Sequence, residues 1–505
     1  MSDLEDLVGE RLMIGLRGTA LDARDLRLFQ DTRAAGLILY RRNFESPEQL
    51  LALLGQLEAA LDRRLLVATD HEGGRIIMLG QGTTVFPDNL AVGMAGEHAF
   101  AARQGLIEAR ELRRLGVDLN LGPCLDVLTD RYSPNIGIRS YGKDPARVAR
   151  FGRARIAGMM RGGLSACAKH FPGKGHSPLD AHLRLPTIDS SWEEMHADHL
   201  PPFLAAIEAG VECIMTSHPI YPRLDPAAVP ATFSRLIAHD YLRGEVGFRG
   251  AVVSDDLEMG AVSERWSMGE AAVRAARAGH DLLLVCHTEP AQRAAAAALV
   301  DAYRSGELPR RELEASAERV RTLRERRTVR AEGGTPVPEP DGHALATAIA
   351  ARAVAIVSPG RPRFKRALNG RVLVVFPRFS ELAPRITIES ALTRERDWIT
   401  GACVPLGIAP EIVLVGIEPR ADEIAAAAEA AAAADSTVLF LYDAHLYPSN
   451  RALLDALQAR ARNLAAVLLR DPYDAALLAP ETLGLTAHGF RRCQLEAALA
   501  RLAHP

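Results

Sequence analysis

Eight short apolar runs, MIGL, GLILY, LLVATD, VDLNLGP, SACAKH, CIMTSH, AVVSDD and LLLVC, recur through the first part of the chain, separated by longer stretches of helical periodicity. A strand that is apolar on nearly every residue has no face to offer water, so it belongs in a parallel sheet covered by helices on both sides. Eight such runs within about 290 residues fit a closed (β/α)8 TIM-like barrel better than an open sheet. Polar residues end several of these runs at the carboxyl side: Asp70, Lys169 with His170, Ser217 with His218, and Asp255 with Asp256. In a barrel those ends ring one mouth, so groups far apart in sequence are expected to converge.

The chain has 505 residues, more than one barrel needs. After the helical stretch RRELEASAERVRTLRERR, the segment AEGGTPVPEPDG is rich in glycine and proline and reads as a linker. The expected organisation is a barrel over 1–330, a linker over 331–343 and a smaller α/β sandwich over 344–505. In that last part the strand-like runs RVLVVF, EIVLVG, STVLFLY and LAAVLL alternate with helical segments. One of these, DEIAAAAEAAAAAD, has high helix propensity and small side chains, as expected of a helix packed closely on a sheet.

Composition narrows the partners. With 48% apolar and 24% charged residues and a net charge of −3, the chain is of globular type. Its charge gives no reason to expect nucleic acid or an anionic membrane, and a small neutral ligand fits better. Acidic residues open the sequence where a signal peptide needs basic ones, and no apolar stretch reaches spanning length, so the cytoplasm is the expected compartment. The six cysteines lie far apart without a C-x-x-C pair, which signals neither a zinc knuckle nor a disulfide framework.

The densest chemistry lies in KHFPGKGHSPLDAHLRLP, residues 169–186. It lacks the G-x-x-x-x-G-K-[ST] spacing of a phosphate-binding loop. A metal site would draw on His170, His176, His182, His218 and Asp255, but no H-E-x-x-H occurs and Lys169 would place a competing cation beside His170, so no metal is expected. Asp180 precedes His182 by two residues, close enough for its carboxylate to orient the ring and raise its basicity, which is what a general acid/base requires. A strand-end carboxylate facing such a histidine suits glycosyl transfer through a covalent intermediate. Asp255 is a candidate nucleophile, and its neighbour Asp256 competes for that role.

KHFPGKG followed by DAH, with TDHEGGR, NIGIRSYGKDP and VVSDDLEMGAV in the expected order, resembles family 3 glycoside hydrolases, and within them the bacterial β-N-acetylglucosaminidase (β-hexosaminidase) branch in its two-domain form. The resemblance implies a cofactor-free, retaining exo-β-N-acetylglucosaminidase acting on terminal nonreducing N-acetylglucosamine, as in muropeptide (peptidoglycan recycling) or chitooligosaccharide turnover. It implies Asp255 as nucleophile and Asp180 with His182 as the acid/base dyad. It also implies that Asp70, Arg139, Lys169 and His170 grip the sugar, while Arg75 braces the mouth. Two positions depart from the family pattern: Lys174 stands where PGHG is usual, and Met78 where an arginine is usual. The alternatives are a phosphorylase or broader β-glycosidase of the same family, or a noncatalytic sugar-binding protein. In the second domain, Asp443 and His445 are expected to serve as scaffold.

Overall fold

The computed structural model describes residues 3–129, 133, 135–176, 185–326, 337–359, 368 and 370–503. They form two compact units, the first comprising Met1–Glu72, Gln81–Thr84 and His98–Glu339, the second Gly73–Gly80, Val85–Glu97 and Pro340–Pro505.

The first unit is the barrel. Its strands are β1 (Leu12–Gly15), β2 (Gly36–Leu39), β3 (Leu66–Thr69), β4 (Leu119–Asn120), β5 (Ser165–Phe171), β6 (Cys213–Thr216), β7 (Ala251–Val253) and β8 (Leu283–Val285). They pair in parallel, in chain order, from β1 to β7. β8 pairs with β1, and a parallel bridge between Val253 and Leu282 closes the ring. The strands are buried throughout, as runs without polar alternation require. Met13, Ile38, Ala68, Leu119, Cys167, Met215, Val253 and Leu284 fill the interior as one cluster. The surrounding helices start where the sequence signals them: Ser46 caps Pro47–Leu61 by accepting from Gln49 N, and Asp144 caps Pro145–Arg161 by accepting from Ala146 N, each with proline in the first turn. Helices His98–Arg114 and Pro145–Arg161 approach at glycine, since a Cβ at Gly105 would lie 2.3 Å from Arg155 O.

The second unit carries a six-stranded sheet. Its strands are β9 (Ala355–Pro359), β10 (Val372–Pro377), β11 (Glu411–Val415), β12 (Ser436–Leu441), β13 (Leu464–Leu468) and β14 (Leu483–Thr486), in the order β9-β14-β13-β12-β10-β11, with β9 alone antiparallel. Period-two alternation divides two cores: Val374, Phe376, Val438 and Phe440 pack on one face, and Leu373, Val375, Leu439 and Leu441 on the other. The alanine-rich helix Ala421–Ala433 lays Ala427 and Ala431 against the second face. The segments Gly73–Gly80 and Val85–Glu97 belong to this unit although they come early in sequence: Arg491 donates to Gly74 O and, at 2.7 Å, to Thr387 O, while Thr387 donates to Ile77 O at 2.6 Å. All six cysteines are buried, and none is in a disulfide. Among the described residues no helix is long and apolar enough to cross a membrane.

Candidate active site

The carboxyl ends of the barrel strands bring titratable groups together, and a carboxylate the sequence reading passed over is their hub. Glu72, buried just past β3, accepts from Arg139 at both oxygens, 2.9 Å from Nε and 2.7 Å from Nη2, and lies 2.7 Å from Lys169 Nζ. Lys169 also donates to Asp70. Burial alone would raise the Glu72 pKa, but Arg139 and Lys169 together hold it well below the usual carboxylate range. Lys169 is shifted the other way: burial opposes its charge, and Asp70 and Glu72 raise its pKa. Three of the expected sugar-binding residues, Asp70, Arg139 and Lys169, thus form one charge network around Glu72. The signal for Glu72 was present in TDHEGGR, where it stands two residues after Asp70, the spacing that repeats a direction in extended chain.

Asp126 is a second organiser. It follows β4 and is completely buried, and its Oδ2 lies 2.7 Å from His170 Nδ1, so the carboxylate fixes the protonated nitrogen of that ring. The same oxygen accepts from His170 N at 3.3 Å and from Cys124 Sγ at 3.2 Å, while Oδ1 accepts from Lys174 N at 2.6 Å. An irregularity in the β5–β6 register between Lys169 and Phe171 falls where Lys169 and His170 are turned to separate partners. Among the described residues Cys124, Asp126 and His170 form the group whose potential metal-ligand atoms lie within 4.8 Å of one another. Asp126 Oδ2 already accepts several hydrogen bonds there, so an ion would have to displace them.

After β7 the two adjacent aspartates separate. Asp256 is bound into structure: Oδ2 lies 3.0 Å from His287 Nε2, Oδ1 accepts from Glu258 N at 3.1 Å and Cys286 N at 3.3 Å, and its carbonyl lies 2.9 Å from His218 Nε2. Asp255 instead accepts from Asp256 N at Oδ1 and places Oδ2 3.7 Å from Lys174 Nζ. His218 is held at both nitrogens, the other 2.9 Å from Thr232 Oγ1, and burial lowers its pKa, so it stays neutral around pH 7. Ser217 lies 3.2 Å from Tyr221 OH. These contacts give Ser217 and His218 a structural role. His176 lies 2.8 Å from Thr129 Oγ1. Asp180 and His182 lie outside the described residues. In the second unit Arg75 N donates to Asp88 at 2.7 Å, Asp443 pairs with Arg470, and His445 Nδ1 lies 2.7 Å from Asp474 Oδ1.

A parallel barrel whose mouth gathers several buried carboxylates held by cations has the layout of a barrel enzyme, whose site lies at the carboxyl ends of the strands. Residues 5–323 match the model for the glycosyl hydrolase family 3 N-terminal domain, and the chain belongs to that family. It is a glycoside hydrolase. A β-hexosaminidase from Idiomarina loihiensis is 38% identical over 317 residues, covering 62% of this chain and 92% of that protein. The solved family 3 β-N-acetylglucosaminidase from Paenibacillus sp. str. FPU-7 has a TM-score of 0.92 and 31% identity, covering 100% of this chain and 97% of that one. The β-N-acetylhexosaminidase from Beutenbergia cavernae gives 0.59 and 30%, covering 64% of this chain and 99% of the other.

Proposed function

We propose that this protein is a retaining exo-β-N-acetylglucosaminidase that removes N-acetylglucosamine from nonreducing ends. The observation that carries the reading is the split between the two aspartates after β7. Asp256 is buried and committed to His287 and the surrounding backbone, whereas Asp255 is only partly buried and carries its Oδ2 3.7 Å from Lys174 Nζ. The name of the relative at 38% identity supports a hexosaminide, and that of the solved structure at 31% the acetamido sugar, as the substrate class.

In the first half-reaction Asp255 attacks the anomeric carbon, the bond to the aglycone oxygen breaks, and His182, oriented by Asp180, gives that oxygen a proton. In the second, His182 takes a proton from water, the water oxygen bonds to the anomeric carbon, and Asp255 departs with its electron pair. Asp70, Arg139, Lys169 and His170 hold the hydroxyls and acetamido group of the sugar, with Glu72 fixing the two cations and Asp126 the ring that reach it. Under this reading a cytoplasmic muropeptide or chitooligosaccharide fragment is the natural substrate. The test is a panel of chromogenic β-glycosides, N-acetylglucosaminide, glucoside and xyloside, with and without phosphate. Selective, phosphate-independent turnover of the N-acetylglucosaminide is expected. Equal turnover of the glucoside contradicts the acetamido reading, and strict dependence on phosphate contradicts hydrolysis.

A further inference from the structure

Lys174 is buried, at 3% exposure, although a lysine is seldom placed out of water without a partner. Its backbone is pinned by the 2.6 Å hydrogen bond to Asp126, and its ammonium faces Asp255 at 3.7 Å. At that distance the interaction is one of charge more than of directed hydrogen bonding. Among the described residues Cys167 on β5 and His218 after β6 also interact by charge with Asp255, Asp126 and His218 do so with Lys174, and Lys169 and Asp70 act on Cys167 in turn. Asp256, next in the chain, is taken up by His287.

Esterification changes this balance. When Asp255 bonds to the anomeric carbon its negative charge disappears, and a buried ammonium is left facing a neutral ester. That charge raises the energy of the glycosyl-enzyme and stabilises the carboxylate that reforms as the ester breaks, because the favourable interaction grows as Asp255 departs. In the forward attack the same interaction weakens, so Lys174 opposes the first half-reaction and favours the second.

We propose that Lys174 is a positioning residue for Asp255, keeping it ionised in the resting enzyme and hastening its release from the covalent intermediate. The inference rests on Asp255 being the nucleophile.

The test uses the full-length parent with K174M, K174Q and K174R, assayed by rapid mixing with an activated aryl N-acetylglucosaminide and across the pH range. K174Q keeps a polar head in a buried position, so that a folding defect of K174M does not decide the result. Loss of the charge should slow release by roughly 10- to 100-fold, producing a burst of aryl alcohol and accumulation of labelled enzyme. The acid limb of kcat/KM should move upward by about one pH unit. K174R should stay near the parent in both respects. A folded neutral variant with an unmoved acid limb and no burst overturns the proposal, as does an arginine variant that behaves like the neutral ones. Mass mapping after trapping with a fluorinated glycoside separates the two levels. A label away from Asp255 removes the underlying assignment, whereas a label on Asp255 with an unmoved pH profile removes only the role of Lys174.

Discussion

Glu72 and Asp471 are both buried carboxylates just beyond the carboxyl end of a parallel strand, one in the barrel and one in the second unit, and their surroundings drive them in opposite directions. Glu72 is 1% exposed and is met by Arg139 and Lys169, which hold its pKa well below the ordinary value despite burial. Asp471 is also 1% exposed, and among the described residues neither of its side-chain oxygens has a hydrogen-bond partner. Burial raises its pKa to about 6, with Arg470 opposing the shift only in part. Burial is common to both; the difference is whether donors reach the oxygens. A closed barrel brings strand ends from all sides toward one axis, so a carboxylate there can be met from several elements. The open sheet presents its strand ends along a line.

The sharpest way to break this contrast is at the barrel mouth. Asp255→Asn should lower kcat toward a chromogenic N-acetylglucosaminide by at least about 10^4-fold, an effect far larger than any change in melting temperature, because it removes the reacting group and only a long ion pair with Lys174. Asp256→Asn should cost less activity and more stability, since that side chain meets His287 and two backbone amides. Steady-state kinetics beside thermal melts distinguish the pair.

Glu72→Gln should come next in effect, raising KM and costing about 3–5 kcal/mol in denaturant unfolding, because it leaves two buried cations short of a counter-charge. Its pH signature follows from a lowered pKa. The unfolded state takes up the proton near the reference value of 4.5 while the native state resists it, so the stabilisation is fully present above that pH and is lost as the pH falls further. Parent and variant stabilities should therefore converge on acidification.

Asp471→Asn should give the smallest effect, with the opposite sign. Here the native state keeps its proton up to about 6 while the unfolded chain loses it near 3.8, so stability falls as pH rises between those values and then levels off. Replacing the carboxyl by an amide should raise stability at pH 7, by on the order of 2 kcal/mol, and leave glycoside turnover unchanged. Unfolding followed from pH 4 to 8 checks both sign and window.

Much of the architecture could be read from the chain because its physical cause is local. Apolar runs such as LLVATD and AVVSDD are buried strands, and the ends of those runs mark the mouth. The alternation in STVLFLY separates two faces without further information. The place of residues 73–80 and 85–97 was not legible, because membership in the second unit depends on residues such as Arg491 and Thr387, hundreds of positions away. Asp255 and Asp256 looked equivalent for a similar reason: only the partners on neighbouring strands tell them apart. Glu72 and Asp126 were passed over because they act through Lys169, Arg139 and His170, and the sequence shows the residues that reach a ligand more readily than those that hold them.

The most direct test of the account is to inactivate the enzyme with a fluorinated N-acetylglucosaminide and locate the covalent label by peptide mass mapping. The account predicts one saccharide on Asp255. A label on Asp256 or another residue, or an active enzyme that the reagent never modifies, would contradict it.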